Sequence, residues 1–156
     1  MIVVSDASVI INLHRIGRIG LLREIYGRVL VPEAVSFEIA RGVDGLGELE
    51  ARWIEVKRVT NRRLVETLAQ ELDPGECEAI ALAIETRADF LLIDEHLGRV
   101  VALRRGLRVT GLLGVLVVAK KRRLIPAVAP EISALLAEGF WLSDELVERV
   151  LKHVGE

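Results

Sequence analysis

The feature that most constrains this chain is a regular alternation of short apolar runs with longer amphipathic segments. Met1–Ser5, Arg28–Val31, Trp53–Val59, Asp89–Asp94 and Gly106–Thr110 read as strands. Between and after them, Ala7–Arg15, Ile19–Tyr26, Pro32–Arg41, Arg62–Leu72, Glu76–Arg87, Glu95–Arg105 and Leu112–Arg123 have helical spacing. Pro32 suits the first turn of a helix, where its missing N–H costs nothing. Gly42, Gly45 and Gly47 mark a loop, and Asp73-Pro74-Gly75 a turn. Strands separated by helices imply a parallel sheet covered on both faces, hence an α/β chain. Two further amphipathic segments, Ala127–Leu136 and Ser143–Val154, close the sequence.

Composition narrows the class. The chain has 156 residues, of which 51% are hydrophobic, enough for a substantial core. With no repeat or linker, 1–156 reads as one domain, its last two helices (about 126–154) a packing or dimerisation extension. No apolar run is long enough to cross a bilayer, and the start carries no basic leader; a soluble, cytoplasmic protein with no membrane partner is expected. The one cysteine, Cys77, excludes an internal disulfide and a thiolate metal cluster. A net charge of −2 gives no global argument for nucleic acid.

The acids carry the chemical argument. In a parallel sheet, ligands bind beyond the carboxyl ends of the strands. Asp6 directly follows the first strand and Asp94 ends the fourth, so both belong to that edge. Each also precedes a helix, and N-capping is the plain alternative for both. Glu38 borders the apolar face that Val35 and Ile39 define. Glu76 opens its helix on the face of Ile80, Ala83 and Ile84, whereas Glu78 falls on another face. Four carboxylates held together repel one another unless a hard divalent cation joins them. Mg²⁺ takes oxygen ligands, keeps several waters and needs only one or two direct carboxylates. A nucleotide-binding domain of the Rossmann kind is a poor alternative. Its glycine-rich turn is missing, and Ser5-Asp6-Ala7-Ser8 puts an acid where a phosphate would sit.

Five segments in order carry a family resemblance. They are Ser-Asp-Ala-Ser at 5–8, Val-Pro-x-x-Val-x-x-Glu-Ile at 31–39, and Gly-Glu-x-Glu-Ala-Ile-Ala-Leu-Ala at 75–83. Leu-Leu-Ile-Asp-Glu-x-x-Gly-Arg at 91–99 and Val-Thr-Gly-Leu-Leu-Gly-Val-Leu at 109–116 complete the set. Together they resemble PIN-domain proteins, and especially their VapC-like ribonuclease toxin branch. The resemblance implies a three-layer α/β/α sandwich around a central parallel sheet. It implies an Mg²⁺- or Mn²⁺-dependent endoribonuclease acting on RNA, the toxin of a toxin–antitoxin pair held by a small antitoxin protein, and a homodimer or higher oligomer. By position, Asp6, Glu38, Glu76 and Asp94 would be the catalytic and metal-binding acids, with Ser8 close by and Arg99 supporting them or contacting phosphate. Glu76 stands where many relatives have aspartate, and Leu92 where many have Thr or Ser. A catalytically weak or inactive module that binds nucleic acid or protein is the alternative on the same fold.

Three secondary expectations follow. With no histidine placed for acid–base work, water rather than the 2′-hydroxyl should attack phosphorus, leaving 5′-phosphate and 3′-hydroxyl ends. The run Lys120-Lys121-Arg122-Arg123 reads as favourable charge at a helix C-terminus. Its functional alternative is a phosphate-contacting patch extended by Arg104, Arg105 and Arg108. Trp53 and Trp141 read as packing residues.

Overall fold

A computed structural model describes residues 1–44 and 46–156. Gly45, one of the loop glycines named above, lies outside them. Five strands form one parallel sheet in the order β3-β2-β1-β4-β5: β1 (Val3–Ser5), β2 (Val29–Val31), β3 (Ile54–Val56), β4 (Phe90–Leu92) and β5 (Val109–Thr110). The strands run without a break in their burial where β1 and β4 meet. Val3 faces Phe90, Val4 faces Leu91 and Ser5 faces Leu92, and nearly all of these side chains are buried. Central strands of a sheet covered on both faces need such continuous apolar runs.

Among the described residues, ten helices flank the sheet and complete an α/β/α sandwich. The chain lays β1, β2 and β3 out in one direction, then returns to the other side of β1 to place β4. The order reverses between β1 and β4, and such a switch point opens a crevice at the carboxyl ends of the two strands. Helices α1 (Ala7–Arg15) and α2 (Gly20–Tyr26) connect β1 to β2. Helix α3 (Glu33–Gly42) packs on α1 and on α6 (Pro74–Glu85), and α6 lies against β1 and β4. Residues 75 to 83 of α6 are all buried. A helix enclosed on every side must be apolar nearly all round, and its alanines let the neighbours approach. The two acids in that stretch, Glu76 and Glu78, therefore need a physical account.

Several boundaries differ from the sequence reading. Pro32 is the residue before α3 rather than inside it. Helix α5 (Arg62–Leu68) stops short of Leu72, and α6 starts at Pro74, two residues early, because the Asp73 carboxylate caps it by accepting from the Glu76 N–H at 2.9 Å. Gly42, expected in a loop, closes α3, and a short helix, α4 (Glu48–Ala51), follows Gly47. Trp53 is buried, but Trp141 is exposed, so packing does not explain it. Helix α7 (His96–Arg104) links β4 to β5, and α8 (Leu112–Lys121) follows β5. Ile132 and Leu135 of α9 (Ala129–Ala137) are buried in the core. Val147, Val150 and Leu151 of α10 (Asp144–His153) pack against it. Among the described residues, no helix is long and apolar enough to cross a membrane.

Candidate acidic site at the switch point

Each acid reaches the crevice by a different local route. Asp6 is the residue between β1 and α1. Its Oδ1 accepts from the Val9 N–H at 3.0 Å, so it does cap α1. Its Oδ2 takes the backbone N–H of Asp94 at 3.3 Å, which ties the ends of the two switch-point strands together. The backbone N–H of Asp6 donates to the Leu92 carbonyl at 2.8 Å across the same gap. Asp94 is not the cap of the helix after it. Glu95 takes that role, accepting from the Gly98 N–H at 2.8 Å. Asp94 instead turns its Oδ1 to the Leu112 N–H, 2.9 Å away at the start of α8, and leaves a buried Oδ2 with no partner.

Glu38 comes from α3 and Glu76 from the first turn of α6, two helices that pack on each other. With Asp6 they line a cleft of about 230 Å³, together with Ala7, Ser8, Asp73, Gly75 and Glu95. Three of the four expected acids thus line one cavity, and Asp94 joins them through its backbone bond to Asp6. Ser8 lines the cleft, with its hydroxyl accepting from the Asn12 side-chain amide at 3.2 Å. Arg99 donates to the Ile93 carbonyl at 3.2 Å and lies near Asp94, bracing the loop after β4.

Two acids in the cleft escaped the sequence reading, Asp73 and Glu95. Each begins a helix and caps it, so each had a sufficient local explanation. A subtler signal was present in two glycines. A Cβ at Gly75 would collide with the Glu38 carboxylate. One at Gly98 would come within 2.7 Å of Glu76 Oε2. Both positions leave room for a carboxylate rather than for a bend in the chain.

The electrostatics of the cleft are unbalanced. Burial pushes the Asp6 carboxyl up to about 7, against the pull of its bond from Val9, and the nearby Asp94 and Glu38 carboxylates add to the rise. Burial raises Glu76 to about 8, reinforced by the neighbouring Asp73 and Glu95 carboxyls. Glu38 is raised by burial and by Asp73, and Asp94 by burial despite Leu112 and Arg99. Glu76 Oε2, like Asp94 Oδ2, is buried without a hydrogen-bond partner. Such orphaned oxygens are costly unless something outside the chain meets them.

An all-oxygen set of this kind suits a hard divalent cation. Among the described residues, no three His, Cys, Asp or Glu side chains converge as a ready-made ion cage. That agrees with Mg²⁺ chemistry, in which one or two direct carboxylates suffice and waters fill the remaining positions. The donor set and its two orphaned oxygens fit such an ion.

The basic run and the arginines grouped with it stand elsewhere. Asp94 grips the first residue of α8, whereas Lys120 to Arg123 lie at the far end of that helix, about 15 Å away for ten residues. Lys120 is bound to the Val154 carbonyl at 2.8 Å and to Glu156 at 2.7 Å. Arg122 donates to the Ile25 carbonyl at 3.2 Å. Arg104 and Arg105 close α7 and Arg108 precedes β5, also on the amino side of the sheet. The run therefore behaves as helix-terminal and tethering charge, not as a phosphate patch for the cleft. A hollow of about 380 Å³ beside it, lined by Val117, Lys120, Lys121, His153 and Val154, offers no carboxylate.

A parallel α/β/α sandwich with carboxylates gathered at its switch point defines the class of molecule. A family model described as a PIN domain matches residues 2–156, and the chain belongs to the PIN-domain family. That is a nuclease-type fold, whose members generally hydrolyse nucleic acids and typically use divalent metals. No curated protein matches the chain.

Proposed function

We propose that the protein is an Mg²⁺- or Mn²⁺-dependent endoribonuclease of the VapC-like kind, acting as one domain over 1–156. The observation that carries this reading is the pair of orphaned, buried carboxylate oxygens, on Glu76 and Asp94, at a cleft whose lining among the described residues holds carboxylates and no cationic side chain. One or two of Asp6, Glu76 and Asp94 would hold the ion directly, with Glu38 lining the same cleft. Bound there, a divalent cation would supply the charge that activates water and offsets the phosphate's developing negative charge. The chain's own residues do the rest. Asp6 ties the two strand ends so that the site keeps its spacing. Glu38, whose proton affinity is raised by burial and by Asp73, is suited to accept or return a proton. Arg99 and the Leu112 N–H hold Asp94 in place. A toxin role, restrained by a small antitoxin, and a homodimer built through α9 and α10 belong to the same reading.

The test is a cleavage assay on single-stranded RNA with Mg²⁺, with Mn²⁺ and with EDTA, followed by end-group analysis. Cleavage should need the metal and leave 5′-phosphate and 3′-hydroxyl ends. A 2′,3′-cyclic phosphate product, or cleavage undiminished by EDTA, would overturn the mechanism. An inactive protein that still binds RNA would favour the binding-module alternative.

A further inference from the structure

Phe37 has no packing reason to stand where it does. On α3 the inward stripe runs through Val35 and Ile39. Two residues on from Val35 is a turn of about 200°, so Phe37 points away from the core. It is 66% exposed, while Trp53 is buried and Tyr26 packs on Phe90 with ring centres 6.3 Å apart. An exposed aromatic next in sequence to Glu38 lies at the mouth of the acidic cleft.

The surface around it is a continuous groove. The cleft shares Glu38 and Asp73 with a neighbouring hollow of about 460 Å³. That hollow shares Ala34 and Phe37 with a third, of about 440 Å³, which Arg58 and Arg62 also line. Phe37 is the ridge between the second and third. Arg62 is committed to Glu78 at 2.9 Å, but Arg58 is almost wholly exposed and touches Glu33 only at 3.5 Å. The groove therefore leads from carboxylates suited to a metal–phosphate site, over an aromatic face, to an arginine free to turn.

We propose that Phe37 is the stacking platform for one unpaired base of a single-stranded nucleic acid whose neighbouring phosphate lies in the cleft, with Arg58 meeting the backbone beyond it. This deepens the nuclease reading and rests on it for the direction of the strand. Every base has a π-face, so stacking of this kind selects for single-strandedness rather than sequence. A duplex, with its bases already stacked, cannot use the platform.

The experiment measures fluorescence anisotropy with the full chain in Ca²⁺, which occupies an all-oxygen site but holds water and phosphate too loosely for efficient cleavage. The probes are a labelled single-stranded RNA, the same sequence as a duplex, and an equally long abasic strand of equal charge. Phe37→Ala should weaken binding of the RNA strand about tenfold or more, the scale of losing one stacked base. It should leave the duplex and the abasic strand unchanged, and Phe37→Trp should restore the loss. Arg58→Ala should weaken the RNA and abasic strands alike and lower the salt dependence. Equal RNA affinity for Phe37→Ala and the parent protein, or an equal loss on the abasic strand, would overturn the inference, as would absence of RNA binding. Failure of the nuclease reading shows separately, as no metal-dependent cleavage by the parent protein.

Discussion

Glu76 and Glu78 lie two residues apart on the same helix and are equally buried, each 9% exposed, yet their surroundings differ. Glu78 has its oxygens occupied: one accepts from the Ala34 N–H at 3.0 Å and the other meets Arg62 at 2.9 Å. Glu131, also buried, is held by Arg18 at 2.6 Å. These are buried carboxylates that the fold has satisfied. Glu76 keeps an oxygen with no partner and is crowded by Asp73 and Glu95. Among the described residues, buried acids such as Glu78 and Glu131 are compensated, and the uncompensated side-chain oxygens lie around the switch-point crevice. Burial alone does not separate the two groups of acids; the lack of a partner does.

The largest effect should come from the uncompensated side. Asp6→Asn keeps an N-cap for α1, since asparagine caps as well as aspartate. Metal-dependent RNA cleavage should nonetheless fall by on the order of a hundredfold or more, the scale of removing a transition-state charge partner. The melting temperature should hold, with relief of carboxylate repulsion offsetting the Asp94 N–H bond that an amide nitrogen cannot accept. An unfolded variant would show instead that Asp6 is chiefly structural.

Metal addition should come next. An ion that binds only the folded state stabilises it by about 2.7 kcal/mol at a hundred times its Kd. For a chain of this size that is a rise of about 5–10 °C in Tm. Calorimetry should show the rise with Mn²⁺ for the parent protein and little of it for Asp6→Asn. Equal shifts would place the ion elsewhere.

The compensated side should behave in the opposite way. Glu78→Ala strands Ala34 N–H and frees Arg62, and should cost about 2 kcal/mol. Cleavage per folded molecule should stay near normal. Glu76→Gln, its neighbour, should abolish cleavage while leaving Tm equal or higher without metal. If the two variants behave alike, the distinction drawn between them fails.

A smaller effect tests the same distinction through pH. The folded chain holds protons on Asp6 to about 7 and on Glu76 to about 8, whereas ordinary carboxyls lose theirs near 4. Between those limits the folded state binds more protons than the unfolded one, so metal-free stability should fall as pH rises from about 4 to about 8, then level off. Denaturant melts across that window should show the slope, and Asp6→Asn should flatten it. A stability that rises through the window would contradict the raised values.

The order of strands and helices was legible because periodicity is local, and it put Asp6 and Asp94 at the right edge of the sheet. The gathering of Glu38 and Glu76 was only partly legible, since it depends on how α3 and α6 pack. Asp73 and Glu95 were hidden by their own caps, a local role that masks their place in the cleft. For Asp94 the structure removes the capping alternative, since Glu95 supplies that cap. The basic run at Lys120 read as helix-terminal charge, and the phosphate-patch alternative stayed open because sequence does not show whether Arg104, Arg105 and Arg108 converge with it. Trp141 looked like core because aromatic residues so often are.

The central claim is that the uncompensated carboxylates are a divalent-metal site, and anomalous diffraction from a crystal soaked in Mn²⁺ tests it most directly. The account predicts a peak at the switch point, coordinated by one or two of Asp6, Glu76 and Asp94 with waters completing the shell. No peak in the cleft at saturating Mn²⁺, or a peak only at paired acids such as Glu78 or Glu131, would contradict it.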